Sequence, residues 1–421
     1  MANAVRVRVA VVVIAAMAIG AACSSNNPKG GTSATATTVK SAAAIAKLLG
    51  PVKQASGVPV KIGYIYDGQS QGIDARSELV MARATAKYVN ERLGGVAGRP
   101  LEIVDCADDA TPAGATDCAN QMIAAKVPAV LSGAPSQPAA IVKLLEPAKI
   151  PYFVYAGIDQ SVLLSADGYV LTNPLGSLAA SIKVANDSGV KKVAMLLIDV
   201  PAAVGPVQAI ATPLFKKAGL SVSYTPVAPG TPDMTPQIQA ALSKGAQQFT
   251  IIGDPAFCIS ALSALKTLGY TGKSVVNSQC LSADVAKNVP GGIDGVKVAT
   301  NESLDAKDPQ VALYEAVAAK YAPGTPPHAS GNSGGYAAVV GFARATTGLT
   351  GDVTAATVQN ALLTMSPQPL PLLKGQTFKC NHKTPLVPAV CSNGAVILTV
   401  DAAGKFKSAE IFDSAPYIKL G

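Results

Sequence analysis

The chain is poor in charge and in rings. Only 14% of its 421 residues are Asp, Glu, Lys or Arg, 5% are aromatic, tryptophan is absent and there are two histidines. The formal charge of +8 includes Arg6 and Arg8 at the very start. No run of Lys and Arg interleaved with aromatics follows, which argues against a nucleic-acid surface. His328 and His382 have no partner at a ligand spacing, and Cys-x-x-Cys is missing. That excludes a structural zinc site, and both histidines read as surface or loop residues. Gly-x-Ser-x-Gly is matched by GQSQG at 68–72, which reads as a loop, and by GNSGG at 331–335, which follows a Pro-rich loop and reads as a loop and cap before a helix, while Ser132 in VLSGA and Ser136 in APSQP lack the strained elbow of a hydrolase nucleophile. Phosphate-loop and dinucleotide fingerprints are missing. Asp108 and Asp109 are adjacent, so in extended chain they point apart and make a poor acid/base pair. No catalytic set, metal or cofactor is expected.

What is present begins at the N-terminus. Two arginines precede VAVVVIAAMAIGAA, a short uncharged run ending in small residues. This pattern is that of an export signal over 1–22, too short for a comfortable membrane span. Cys23 follows directly. The junction resembles the lipobox of bacterial lipoproteins, with Gly20 where that pattern usually has an aliphatic residue. It implies an acylated Cys23 anchored to the outer face of the cell membrane, the alternative being a free cysteine beside an ordinary cleavage site. SSNNPKGGTSATATT then reads as a flexible tether, so 23–57 is anchor, tether and a short amphipathic helix. No later segment reads as a membrane helix.

Six further cysteines stand at 106, 118, 258, 280, 380 and 391. An even number in an exported chain implies disulfides. Fifteen pairings exist for six cysteines; joining sequence neighbours is the simplest.

The length favours two domains. From Val58 onward, short apolar strands alternate with helical patterns: VPVKIGYIYD, a helix over 75–92, PLEIVDCAD, a helix from Pro112 capped by Thr111, VPAVLSG, PAAIVKLLEPA and IPYFVYAG. The alternation continues through KSVVNSQ near 280. Repeated strand–helix units with short loops predict α/β lobes built on parallel sheets covered on both faces. Beyond 296 the rhythm changes to three helices and then a β-rich tail with DAAG as a hairpin turn. That tail reads as a piece laid against an earlier lobe.

KIGYIYDG, YVNERLGGVAGRPLEIVDCADDATP, and VPAVLSGAPSQ followed by IPYFVYAG together resemble the extracellular solute-binding proteins of ABC importers, in the leucine/isoleucine/valine-binding branch. Asn90 before GGVAG, and Asp108 with Asp109, fit that pattern. The resemblance spans roughly 58–418. It implies two Rossmann-like three-layer lobes joined by three hinge crossings. Lobe one would be 58–172 with 300–368, and lobe two 173–299 with 369–421. A small solute would sit between them, and an ABC permease in the membrane would be the partner of a monomeric protein. A sensor signalling to a membrane partner would share this fold.

The candidate ligand residues lie on strand-to-helix loops, where free backbone N–H groups attract acceptors. Gln69 lies in GQSQGID. In SGAPSQP, Ser136 and Gln137 are expected at the ligand, and the resemblance implies that Ser136 holds a ligand carboxylate; capping of the following helix is its alternative. Ala156 and Gly157 occupy the next loop, where the resemblance leads one to expect a hydroxyl that Gly157 lacks. Val204 stands where the branch often has a tyrosine. Asp254 is the candidate for a ligand ammonium, with helix capping as the alternative. Ser278, with Gln279, closes a further strand.

Overall fold

Strand β1, Val60–Tyr66, is buried at five of its seven positions. Such a run is stable only when both sheet faces are covered. In the computed structural model, which describes residues 41–418 apart from 71, 72, 158, 201–203 and 330, that cover exists. The expected leader, Cys23 and the tether SSNNPKGGTSATATT lie outside the described residues. Among those described, no helix is long and apolar enough to cross a membrane.

The first sheet adds β2 Leu101–Ala107, β3 Val130–Ser132, β4 Tyr152–Val154 and β5 Gly168–Val170. Its order is β2-β1-β3-β4-β5, all parallel. The second sheet comprises β6 Lys192–Ile198, β7 Ser221–Val227, β8 Gln248–Ile252, β9 Lys273–Asn277, β10 Lys297–Thr300, β11 Gly394–Val400 and β12 Phe406–Asp413. Its first five strands repeat the same pattern, β7-β6-β8-β9-β10, again all parallel. Antiparallel β11 and β12 extend the edge. The β-rich tail is thus the hairpin expected from DAAG, and Asp401 accepts from the N–H groups of Ala403 and Lys405 at 2.9 and 2.8 Å in its turn. KVAT is β10.

The helices are α1 Ala42–Leu49, α2 Arg76–Tyr88, α3 Pro112–Ala124, α4 Pro138–Leu145, α5 Gln160–Leu163, α6 Gly176–Asp187, α7 Val204–Lys217, α8 Thr235–Ser243, α9 Pro255–Thr267, α10 Ala283–Asn288, α11 Pro309–Tyr321, α12 Asn332–Ala345, α13 Ala355–Thr364 and α14 Ala415–Ile418. Thr111 caps α3, accepting from Gly114 N–H at 3.0 Å, with Pro112 at its first position. Helix α2 runs into a wider turn over Val89–Leu93 and stops at Gly94, whose φ is +80°. The Asn90 of the GGVAG motif has a structural task there: its side chain exchanges two hydrogen bonds with the Leu101 backbone, at 2.9 and 2.7 Å. Helix end and strand start are locked together.

Helix α12 is buried on almost every side, and α2 lies against it. A Cβ at Gly335 would stand 2.2 Å from the Glu78 carbonyl oxygen, so only glycine allows that approach. The helices after β10 thus complete the lobe of the first sheet.

Three crossings join the lobes: Leu171–Leu175 after β5, Asn301–Asp308 after β10, and the segment from 365 to 393 that leads into β11. The first two leave from strand carboxyl ends, and the third enters beside one, since Val396 pairs with Thr300. The crossings are tied together. Buried Asn173 donates to Asn393 Oδ1 at 3.1 Å, and Ser303 N–H donates to the Leu372 carbonyl at 3.1 Å. Part of the tail serves the first sheet: Val170 and Val390 form a parallel bridge, with N–H to carbonyl distances of 2.8 Å on both sides of Val170.

The disulfides are Cys106–Cys118, Cys258–Cys280 and Cys380–Cys391, each between sequence neighbours. The first ties β2 to α3 across the Asp108–Asp109 loop. The second ties α9 to the turn after β9. Both brace loops at strand carboxyl ends.

Candidate functional site in the cleft at the strand ends

In an open parallel sheet, a crevice forms at the carboxyl ends where the winding direction reverses. The repeated strand order places that point between β1 and β3 in one lobe, and between β6 and β8 in the other. The loops flanking it hold Asp67 and Ser136 in lobe one, and Asp199 and Asp254 in lobe two.

Ser136 and Asp67 are in contact. Ser136 N–H donates to Asp67 Oδ1 at 2.9 Å and its hydroxyl donates to Asp67 Oδ2. Asp67 is 7% exposed, whereas Ser136 is open to solvent. This corrects the capping expectation and bears on the ligand role of Ser136. The donors of Ser136 that a ligand carboxylate would use are held by a carboxylate of the chain. Ser136 does not cap α4 either, since Gln137 is at the cap position and makes no side-chain capping bond. Gln137 instead donates through Nε2 to the Ala110 carbonyl at 3.1 Å, joining the loops after β2 and β3.

Behind Asp67 lie two more acids. Glu78, in the first turn of α2, is 5% exposed. Its Oε1 accepts from Tyr64 Oη at 2.8 Å and from Gly133 N–H at 3.1 Å. Burial pushes its carboxyl up to about 7, against the lowering effect of those two donors, and the charges of Asp67 and Asp108 raise it further. Asp108 is fully buried, accepts from Ala110 N–H at 2.9 Å, and has no donor to Oδ2 among the described residues. Burial lifts it to about 6. Asp109 is exposed with φ +51°, so the two neighbours do part as expected. Gly133 explains itself here: a Cβ would meet the Glu78 carboxylate at 2.6 Å. Ser132 donates to the Ile65 carbonyl at 2.7 Å and accepts from Tyr152 Oη at 2.9 Å, a structural position.

The remaining candidates are spread over other strand ends. Ala156 spends its N–H on the Gly133 carbonyl at 2.9 Å. Gly157 is half-buried, with only a Val154 methyl near its open side, at 3.7 Å. Gln69 is exposed in a two-residue ribbon that pairs Gln69–Ser70 with Ile73–Asp74. Val204 opens α7 and is half-buried. Asp254 caps α9, accepting from Phe257 N–H at 2.8 Å, and remains exposed. Ser278 is exposed at the start of the short turn after β9. His382 lies 3.0 Å from the Gly168 carbonyl and burial lowers its pKa; His328 faces Glu315 at 3.4 Å.

Sequence reasoning passed over Asp67 and Glu78. Asp67 ends KIGYIYD as Asp199 ends MLLID, so the parallel was visible. Glu78 shares its spacing with Ala82 and Thr85 on the buried face of α2, and an acid on an apolar face is the signal that could have found it.

A cavity of about 710 Å³ lies elsewhere. It is lined by α12, α13 and the turns around them, including Arg344, Thr357 and Asn360, and none of the strand-end loops reaches it.

Comparison with known proteins agrees with this architecture. A family model described as periplasmic binding protein matches residues 59–397. No curated protein matches. Among solved structures, a putative branched-chain amino acid ABC transporter from Rhodospirillum rubrum is similar with a TM-score of 0.70 at 19% identity, covering 83% of this chain and 99% of that one. The substrate-binding protein LivJ of Streptococcus pneumoniae, in complex with isoleucine, gives 0.64 at 16%, covering 84% and 99%. A fatty acid ABC transporter substrate-binding protein from Thermomonospora curvata gives 0.63 at 19%, covering 86% and 94%. At these identities the likeness is one of fold. With the family match over most of its length, the chain belongs to the periplasmic binding protein family, whose members bind solutes rather than catalyse reactions.

Proposed function

We propose that this protein receives a small polar or amphipathic solute in the cleft between its lobes and delivers it to an ABC permease. The observation that carries the reading is the repeated winding of the two sheets, with all three crossings at strand carboxyl ends. A solute touching both switch points favours the closed arrangement by its extra contacts there, and the crossings act as the hinge. A permease that recognises both lobes in that arrangement then distinguishes loaded from empty protein. The solved relatives support transport: their names mention branched-chain amino acids and, in one case, fatty acid. Gly157 and Val204 stand where an amino-acid grip would have a hydroxyl and a ring, so an amide or a small acid remains among the candidates alongside an aliphatic amino acid. Anchoring through Cys23 after export would hold the protein beside its permease.

The test is calorimetry and thermal-shift screening over amino acids, amides and small acids, with small-angle scattering on any hit. A saturable ligand that also shrinks the radius of gyration is expected. A ligand that binds without lobe closure, or absence of binding across the classes, would reject the reading.

A further inference from the structure

We propose that the solute is a cation with no carboxylate at the lobe-one end of the cleft, because Asp67 fills the seat that such a carboxylate would take. This rests on the solute-binding reading above and names its substrate class.

The first argument is occupancy. Both donors of Ser136 are bonded to Asp67. An incoming carboxylate would have to displace a buried, chain-borne carboxylate and then lie beside it. Like charges that close repel strongly, the more so where water is scarce. The second argument is charge placement. Although the chain carries +8 overall, the segments between parallel strands and their following helices contain one lysine, Lys307, and no arginine. The same segments contain eleven acids, among them Asp67, Asp108 and Asp109 in lobe one, Asp199 and Asp254 in lobe two, and Glu302 on a crossing. Among the described residues one of the eleven, Asp74, is in an ion pair with Lys or Arg, its partner being Arg76. Of the fifteen acids elsewhere on the molecule seven are in ion pairs, as Asp105 is with Arg83 and Asp187 with Lys183.

The third argument is an unmet acceptor. Asp108 is fully buried beside this cluster, and its Oδ2 lacks a donor. Burying acids together without a cation is costly. A positively charged solute beside the cluster supplies the missing charge. The chemistry is that of an amine or guanidinium compound lacking an acidic group at that end.

Matched pairs that differ in the carboxylate test this directly: agmatine against arginine, and leucinamide against leucine, by isothermal calorimetry. In the wild type the member without the carboxylate is expected to bind more tightly by about tenfold or more. Asp67→Ala frees the Ser136 donors and is expected to shift that preference toward the acid. Asp67→Asn keeps an acceptor for the loop, guards against a folding defect, and is expected to weaken the cationic member. Wild-type binding of the acid at equal or higher affinity, or a preference unmoved in Asp67→Ala, would overturn the inference while solute binding stands. No binding of any member by wild type or variants would instead tell against the solute-binding reading itself.

Discussion

Ser136 donates its backbone N–H at 2.9 Å and its hydroxyl to the two oxygens of Asp67. The pair joins the loops after the central strand and its neighbour at the point where the sheet reverses its winding. Replacing Ser136 with alanine removes one charge-assisted bond and leaves the backbone bond in place. The expected cost is about 1 kcal/mol, since Ser136 is open to solvent. Urea unfolding of Ser136→Ala against wild type measures it.

Buried acids make stability depend on pH. Glu78 sits at about 7 in the folded protein, raised from 4.5 by burial. Below pH 4.5 the carboxyl is protonated in both states and carries no penalty. As pH rises toward 7, the unfolded chain loses the proton while the folded chain keeps it, so stability falls. The loss is on the order of 3 kcal/mol and is complete above pH 7. Asp108, raised from 3.8 to about 6, adds in the same direction. Glu78→Gln keeps an acceptor for Tyr64 and Gly133 and is expected to flatten that slope and to melt higher than wild type at pH 8. Melting curves from pH 4 to 8 read both; an unchanged slope would mean that Glu78 is ionised in the fold throughout.

Gly133→Ala would place a methyl group 2.6 Å from the Glu78 carboxylate. The Glu78 carboxylate would have to give up its place at Tyr64 and Gly133. A destabilisation of about 1–3 kcal/mol is expected, with most of it recovered in the double variant with Glu78→Ala. A double-mutant cycle in urea gives the coupling.

The Cys258–Cys280 bridge closes a loop with 22 residues of sequence separation and holds the turn that carries Ser278. Its removal as the paired serine variant is expected to cost about 2–4 kcal/mol. Urea titrations of the variant and of wild type measure that loss.

The proposed anchor is tested at Cys23. Cys23→Ser is expected to abolish incorporation of a labelled fatty acid and to move the protein from the detergent phase to the aqueous phase in a host that processes lipoproteins. Labelling that survives the change would place the anchor elsewhere.

Sequence by itself determined the alternation of strands and helices, because buried parallel strands must be short apolar runs and each covering helix must carry an apolar stripe. It also pointed to a hairpin in the last stretch, since DAAG supplies a glycine turn between two alternating runs. Asp254 at a strand end and Thr111 before a proline were legible because local chemistry fixes a helix cap within four residues. The partner of Ser136 was not legible. Asp67 is 69 residues away in sequence, and only the placement of β1 beside β3 brings the two loops together. Glu78 likewise reads as an ordinary first-turn acid until α12 and the Gly133 loop close over it and remove its water. Local patterning therefore fixed the elements and their order, while long-range packing decided which polar groups face one another, and with them the charge that the cleft presents to a solute.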